Sequence, residues 1–350
     1  FEMLYLTKIN QKENTARAKH IRSLINANIS SDMPIKFVFY NFKKPLKNIF
    51  IFIKSFFISF DKKEIIYTRD IEFTLLCYFF KKKVIYEIHQ YGMIRKTTRF
   101  SRINKIILFL LSNSKNVKFV TLTKGGLRVL KYLFPYISNE RLYIIPDAGD
   151  IYKNDTSFFK KLIFINNQAN LNIAYAGSFL PGKGGLETLK LAKRLKKYQF
   201  NLAGDSNKLQ EKKFFIYSNI NLVGYLNDFE ISNFYAQNDV LIAPIGKRIF
   251  LDNGYLNEIT FYTSPLKLFE YLSTNKPVIT IDRPCTRIMK NFPGLWFIDK
   301  ENSCSIKTWI EVLEEVKEFI KSKKNKDLHD LRKPYIYNWQ KRIIDMKKII

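Results

Sequence analysis

Two stretches in the second half of the chain carry residue types suited to holding a phosphorylated substrate. The first reads Ile173-Ala174-Tyr175-Ala176-Gly177-Ser178-Phe179-Leu180-Pro181-Gly182-Lys183-Gly184-Gly185, a strand-like run entering a glycine-rich loop ahead of a helical segment at 186–197. Glycines let a backbone approach an anion closely, the free N–H groups of a helix start point toward it, and Lys183 adds a mobile positive charge. The spacing is not that of a Walker loop, because no Lys-Ser or Lys-Thr pair follows. Taken alone, the same residues also describe a plain strand-to-helix turn.

The second stretch reads Thr263-Ser264-Pro265-Leu266-Lys267-Leu268-Phe269-Glu270-Tyr271-Leu272. Ser264 has the side chain of an N-cap and Pro265 suits the first helical position, which leaves the amides of Leu266 and Lys267 unpaired at the positive end of a helix. A diphosphate fits such a place. Glu270 falls one turn beyond Leu266, where its carboxylate can accept two hydrogen bonds from a vicinal diol such as a ribose. A capped helix with an exposed glutamate accounts for the same letters.

In this order and spacing, Gly-Ser-x-x-Pro-Gly-Lys-Gly followed by Ser-Pro-Leu-Lys-Leu-Phe-Glu-Tyr resembles the donor domain of glycosyltransferase family 4. Between them, Phe200-Asn201-Leu202-Ala203-Gly204-Asp205 is similar to a family strand ending in glycine, and Leu222-Val223-Gly224-Tyr225-Leu226 to the strand and turn beside the nucleobase. Tyr235-Ala236-Gln237-Asn238-Asp239-Val240-Leu241-Ile242-Ala243-Pro244 resembles the helix end and strand that follow. The first half matches more weakly, through Val84-Ile85-Tyr86-Glu87-Ile88-His89, Thr121-Leu122-Thr123 and Tyr143-Ile144-Ile145-Pro146-Asp147-Ala148-Gly149-Asp150.

The resemblance implies an α/β protein of the GT-B type, with two tandem Rossmann-like domains facing each other across a cleft. It implies a retaining, metal-independent transfer of a sugar from a nucleotide diphosphate sugar, with no cofactor beyond that donor. Catalytic roles fall on His89, Lys183 and Glu270, and substrate contacts on Gly177, Ser178, Gly182, Gly184, Gly224, Tyr225, Ser264, Pro265, Leu266 and Lys267. Lys183 and the amides of Leu266 and Lys267 would stabilise the charge that develops on the leaving diphosphate. His89, at the carboxyl end of a strand, would orient sugar or acceptor instead of serving as an obligatory base. Two positions depart from the family pattern: Ser178 replaces a frequent arginine, and Tyr262 replaces the first glutamate of Glu-x7-Glu, with Glu258 or Asn257 as nearby substitutes.

The elements that must position these residues follow from periodicity. Short β-branched or aromatic runs at 37–40, 65–67, 84–87 and 117–122 alternate with helical segments, and the pattern restarts at 173–176, 200–203, 220–223, 240–243, 278–281 and 296–298, with helices at 186–197, 228–236 and 306–322. Such alternation predicts two parallel sheets. The 350 residues suit two domains, here 1–160 for the acceptor, 161–330 for the donor, and a final helix at 331–350 crossing back. The polar stretch at 151–170 reads as the linker.

A formal charge of +28 calls for an anionic partner, although part of the lysine excess also fits a coding bias toward Lys, Ile and Asn. The charge is spread along the chain and no nucleic-acid-binding motif is seen, so no nucleic acid is expected. Basic, aromatic-rich segments at 41–60 and 95–111 suit an anionic membrane surface, and with it a lipid-linked or glycan acceptor. No apolar run approaches the ~18 residues of a membrane span, and Cys77, Cys285 and Cys304 lack paired spacing. A cytoplasmic protein, peripheral at the inner face of the membrane, without transmembrane helix or signal peptide, is therefore expected. By analogy the setting is cell-surface polysaccharide or lipopolysaccharide synthesis. Rival readings are a non-catalytic glycosyltransferase-like subunit, a nucleotide-sugar epimerase of the same fold and, remotely, a nucleic-acid-binding protein.

Overall fold

The computed structural model describes residues 3–8, 16–29, 35–40, 65–89, 91, 99–149, 171–205, 217–251, 258–322, 328–333, 335 and 337–350. The expected basic segment 41–60, the linker 151–170 and Asn257 lie outside the described residues. The chain divides into two compact units. One comprises Phe1–Asp147, Phe261–Ser264 and Trp339–Ile350, the other Ala148–Thr260 and Pro265–Asn338.

The first unit holds a six-stranded, all-parallel sheet of β1 (Met3–Lys8), β2 (Lys36–Tyr40), β3 (Ile65–Thr68), β4 (Val84–Ile88), β5 (Val117–Thr121) and β6 (Leu142–Ile144), in the order β2-β1-β3-β4-β5-β6. Its helices are α1 (Ala16–Ile29), α2 (Ile71–Phe79), α3 (Arg99–Ser112) and α4 (Lys124–Leu133), and α10 (Trp339–Lys347) packs on it from the end of the chain. β3 and β4 are buried along their whole length, as strands covered on both faces must be. The sequence reading did not anticipate β1 or α1. Six residues of β1 offer no alternation, and the strand is stabilised by tertiary packing: Tyr5 sits between Phe37 and Tyr67, each ring centroid 5.3 Å away.

The second unit repeats the architecture with β7 (Asn172–Ala176), β8 (Gln199–Ala203), β9 (Ile220–Gly224), β10 (Val240–Ala243), β11 (Val278–Ile281) and β12 (Leu295–Ile298), all parallel, in the order β12-β11-β10-β7-β8-β9. Counted within the unit this is 3-2-1-4-5-6, the order of doubly wound nucleotide-binding sheets. Its helices are α5 (Gly185–Arg194), α6 (Asp228–Ala236), α7 (Leu266–Leu272), α8 (Ile306–Lys321) and α9 (Leu328–Arg332). The core joins Ile173, Tyr175, Phe200, Leu202, Val240 and Ile279 from the sheet to Leu189 of α5 and Trp309 and Leu313 of α8. The order reverses at β7, which lies between β10 and β8, so ligands of such a sheet are expected beyond the carboxyl ends of β7 and β10.

One local expectation is corrected. Pro265, at φ −83° and ψ 69°, flanks α7, and Ser264 does not cap it. The ψ of Pro265 is not helical, so the first turn closes tightly, with Leu268 N donating to Pro265 O at 2.8 Å. A residue preceding proline is steered away from helical geometry, and the buried Ser264 hydroxyl has no hydrogen-bond partner among the described residues.

Candidate functional site

In the second unit, the loops after β7 and β10 meet at the reversal point. Gly246 N donates to Gly182 O at 3.1 Å and Phe250 N to Pro181 O at 3.1 Å. Gly182 adopts φ +75°, and a Cβ there would lie 1.7 Å from the Arg248 carbonyl oxygen, so only glycine fits. At the other end of the loop, Gly177 N donates to Ala203 O, and Gly204 N donates to Gly224 O at 2.7 Å, which aligns the carboxyl ends of β7, β8 and β9. Tyr225 follows Gly224 and is exposed.

Glu187 partly answers the helix-start reading of this loop. Its carboxylate accepts from Gly184 N at 3.0 Å, so one of the N–H groups at the start of α5 is already paired with an acid. Ser178 is exposed, its hydroxyl accepting from Leu180 N at 3.1 Å. The Lys183 ammonium has neither hydrogen-bond nor ion-pair partner among the described residues, and burial pushes its pKa down to about 8.

Tyr271 brings α7 to the loop: its hydroxyl accepts from Ala176 N at 2.7 Å and lies 3.2 Å from Ala176 O. This places Lys267 over β7, with Nζ 2.6 Å from the Tyr175 hydroxyl and 2.8 Å from the Lys183 carbonyl. Burial, with Lys183 adding repulsion, lowers the Lys267 pKa to about 7. Glu270, one turn on, accepts from the Tyr235 hydroxyl at 3.3 Å, and Tyr235 packs edge-on against Tyr271 at 5.4 Å. The structure thus gathers Gly177, Ser178, Gly182, Lys183, Gly184, Pro265, Leu266, Lys267 and Glu270 around the end of β7, with Gly224 and Tyr225 at the end of β9. Ser264 closes the segment counted with the first unit.

His89 belongs to the first unit, just past β4, in a buried polar cluster. Arg69 Nη2 lies 2.7 Å from His89 Nδ1, and Glu87 bonds His89 Nε2 and the Tyr67 hydroxyl. Arginine can only donate, so Nδ1 accepts and the proton sits on Nε2. Burial, then Arg69, lower the His89 pKa, which keeps the ring neutral. Arg342 of α10 donates to Glu87 at 2.7 Å, and both side chains are almost wholly buried, 0% and 1% exposed. Burial by itself would raise the Glu87 carboxyl; Arg342, His89 and Arg69 outweigh it and hold the group well below its ordinary value. His20 of α1 stands 3.4 Å from Asp147 and 4.6 Å from the Trp339 ring, and burial pushes its pKa down to about 3. Tyr262, 4% exposed, packs on Tyr91 at 4.8 Å in the same unit.

Sequence reasoning assigned no role to Tyr175, Glu187, Tyr235, Arg69, Glu87 or Arg342. Only Glu187, three residues after a helix-initiating glycine, carried a local signal. The remaining partners are brought together by the fold. On the surface of the first unit, Lys105, Ile106, Phe109, Leu133, Phe134 and Tyr136 line an apolar cleft of about 390 Å³. Ile106 and Phe109 of α3 are 61% and 53% exposed, beside Arg102 and Lys105. Among the described residues no helix is long and apolar enough to cross a membrane, and no group of three or more His, Cys, Asp or Glu is placed to hold a metal ion.

No protein-family model and no curated protein sequence matches the chain. Solved structures do. HepE from Anabaena, determined in complex with UDP-glucose, is similar with a TM-score of 0.67 at 12% identity, covering 100% of both chains. Sucrose-phosphate synthase from Thermosynechococcus elongatus gives 0.65 at 11%, covering 100% of this chain and 98% of that one. The lipopolysaccharide outer core galactosyltransferase WaaB, in its apo form, gives 0.60 at 12%, covering 99% of each. Two parallel six-stranded sheets and a match along the whole length of such structures identify the architecture of this chain as the GT-B fold.

Proposed function

We propose that the chain is a retaining, metal-independent glycosyltransferase that moves a sugar from a nucleotide diphosphate sugar to a lipid-linked or glycan acceptor, in cell-surface polysaccharide or lipopolysaccharide synthesis. The observation that carries the reading is the Lys183 ammonium, unpaired among the described residues, on a glycine loop at the reversal point of a 3-2-1-4-5-6 sheet, with α7 tied beside it through Tyr271. That is where an anion is stabilised by charge and backbone dipoles together. Lys183 then stabilises the leaving diphosphate, the amides of Leu266 and Lys267 add donors, and Glu270, oriented by Tyr235, accepts from a ribose diol. His89, held neutral, orients the acceptor instead of removing its proton. A donor phosphate oxygen takes that proton as the new bond forms on the face the diphosphate leaves. HepE, solved with UDP-glucose, lends the donor class support by likeness of fold.

Exposed apolar side chains on α3, flanked by Arg102 and Lys105, favour work at an anionic membrane surface. A second reading, nucleotide binding without transfer, is favoured by the uncharged Ser178 and by Tyr262, which occupies the sequence position where the resemblance implies a glutamate and whose ring is buried against Tyr91.

Calorimetry and thermal shift against UDP, GDP, ADP and their sugar conjugates test the donor site. One nucleotide is expected to bind selectively, and Glu270→Ala to weaken it about tenfold, the worth of one lost charge-assisted hydrogen-bond pair. Failure to bind any of them sinks the reading. Binding with no acceptor-dependent consumption of the sugar nucleotide supports the second.

A further inference from the structure

The end of the first unit opposite His89 carries a surface of its own. His89 follows the carboxyl end of β4, whereas α2, α3 and α4 finish at the amino ends of β4, β5 and β6, because each helix runs back along a parallel sheet. The two ends are a strand length apart, about 15 Å for five residues. At the amino end, Phe79 and Phe80 are 63% and 48% exposed and are followed by Lys81, Lys82 and Lys83. Asn116 Nδ2 donates to Lys81 O at 3.4 Å and Val84 N to Asn116 O at 2.9 Å, which ties the turn after α2 to the turn after α3.

The apolar cleft of about 390 Å³ lies on this side, between the second half of α3 and the end of α4. Its walls are braced by the protein itself. Arg141 donates to the Ser112 and Ser114 carbonyls at 2.7 and 2.6 Å and to Ser138 Oγ at 3.2 Å, joining the end of α3 to the segment after α4. Tyr136 stands edge-on to Phe109 at 5.9 Å and to Phe134 at 6.4 Å. A preformed apolar groove left open to solvent marks a binding surface.

The charge around the cleft has one sign. From Arg99 to Asn139 the sequence contains eight Lys and Arg and no Asp or Glu. Arg102, Lys105, Ile106 and Phe109 share one face of α3 at i, i+3, i+4, i+7 spacing, and all four are exposed. Lys105 lines the cleft, and its ammonium has neither hydrogen-bond nor ion-pair partner among the described residues. The first acid after Glu87 is Glu140, whose carboxylate accepts from the Ser138 hydroxyl at 3.1 Å. Hydrocarbon walls with cations at the rim complement an amphiphile that has an apolar chain and an anionic head.

We propose that this cleft binds one acyl chain of an anionic membrane phospholipid, with the phosphate at Lys105 and Arg102, and that the amino end of the first sheet is the face docked on the membrane. The inference rests on the membrane-surface part of the function proposed above and is independent of the donor site. It makes the lipid an anchor and not the acceptor, because the cleft and His89 lie toward opposite ends of the sheet.

The test is isothermal titration of the full chain with lysophosphatidylglycerols of increasing chain length, each kept below its critical micelle concentration. Monomeric lipid is expected to bind at one site, with affinity rising about fourfold per added methylene and levelling off once the cleft is full. Lysophosphatidylcholine of the same chain should bind more weakly, and glycerol phosphate not at all. Lys105→Gln should weaken the anionic lipid about fivefold, the worth of one cation beside an anionic headgroup, and leave the neutral one unchanged. Ile106→Trp fills the cleft and should cost about tenfold or more in monomeric lipid. On a surface that merely inserts side chains, the same tryptophan would hold or strengthen vesicle binding. Melting curves confirm that each variant folds, and if Ile106→Trp does not, Lys105→Gln and the chain-length series decide. A wild type that sediments with phosphatidylglycerol vesicles yet binds no monomeric lipid, or an Ile106→Trp that binds it unchanged, overturns the cleft and leaves the surface role. Equal affinity for the two headgroups overturns the phosphate contact. A lipid-free dimer that lipid does not dissociate gives the cleft to a second copy and also overturns the inference. Binding to neither monomer nor vesicle brings down cleft and surface role together, while nucleotide titration judges the donor site separately.

Discussion

At the scale of single residues, burial of Lys267 makes stability depend on pH. Its pKa is near 7 in the folded chain and 10.5 as a free side chain. The unfolded chain therefore holds the proton between these values while the folded chain releases it, so stability rises with pH across that window and the full burial cost is present below it. Lys267→Met should accordingly stabilise the unliganded protein by about 1–4 kcal/mol at pH 6, since apolar groups of similar volume replace buried charges at that gain. The advantage should shrink toward pH 10, as urea denaturation across the range would show. A stability difference independent of pH would contradict it. Gly182 offers a simpler case. Gly182→Ala places a methyl group against the Arg248 carbonyl at a positive φ, and a loss of ~3 kcal/mol in the same assay is expected from strain and overpacking together.

At the scale of elements, α10 joins the first unit through a charge rather than through apolar contact alone. Arg342 Nη1 donates to the Ile145 carbonyl at 3.0 Å and also to that of Pro146, and its other nitrogen meets Glu87. Lys118 donates to the Ile349 carbonyl further along. Arg342→Met would leave Glu87 buried without its main counter-charge, which costs about 3–5 kcal/mol. The double variant Glu87→Gln, Arg342→Met should recover most of that loss, since glutamine still accepts from Tyr67 and carries no charge. Denaturation midpoints of the single and double variants measure the coupling, and simple additivity would argue that the pair is not the docking contact. The same cluster keeps His89 in one tautomer, so the element that closes the chain and the side chain at the end of β4 share one network.

At the scale of the whole molecule, the charge of +28 matters more than any one ion pair. Surface pairs such as Lys321–Glu318 are exposed and each contributes well under 1 kcal/mol. Under the proposed membrane-surface role it is the summed field that would attract an anionic surface, and that field is screened beyond about 8 Å at physiological salt. Sedimentation with vesicles rich in phosphatidylglycerol should show binding at low salt that weakens steeply by 0.3 M. Ile106→Asp with Phe109→Asp should weaken it further without altering nucleotide affinity. Absence of binding at low salt would remove the membrane from the account.

Much of this was legible before any coordinates. The strands at 240–243 and 278–281 and the helix at 228–236 stand where periodicity put them, because a buried parallel strand must be apolar along its length and a helix must repeat near every fourth residue. The glycine loop and the Ser-Pro-Leu-Lys-Leu-Phe-Glu-Tyr segment stood out as candidates for a similar reason: close approach to an anion, the proposed role, demands residue types that are local and few. Sequence determined the strands of the second unit, the strand-helix alternation and the two candidate loops. Tertiary structure alone decided that β1 is an interior strand, that Pro265 and not Ser264 takes the cap position before α7, and that Tyr175 meets Lys267 and Glu87 meets Arg342. Those pairings join residues far apart in the chain, and no local propensity encodes a partner that only the folded sheet brings within hydrogen-bonding distance.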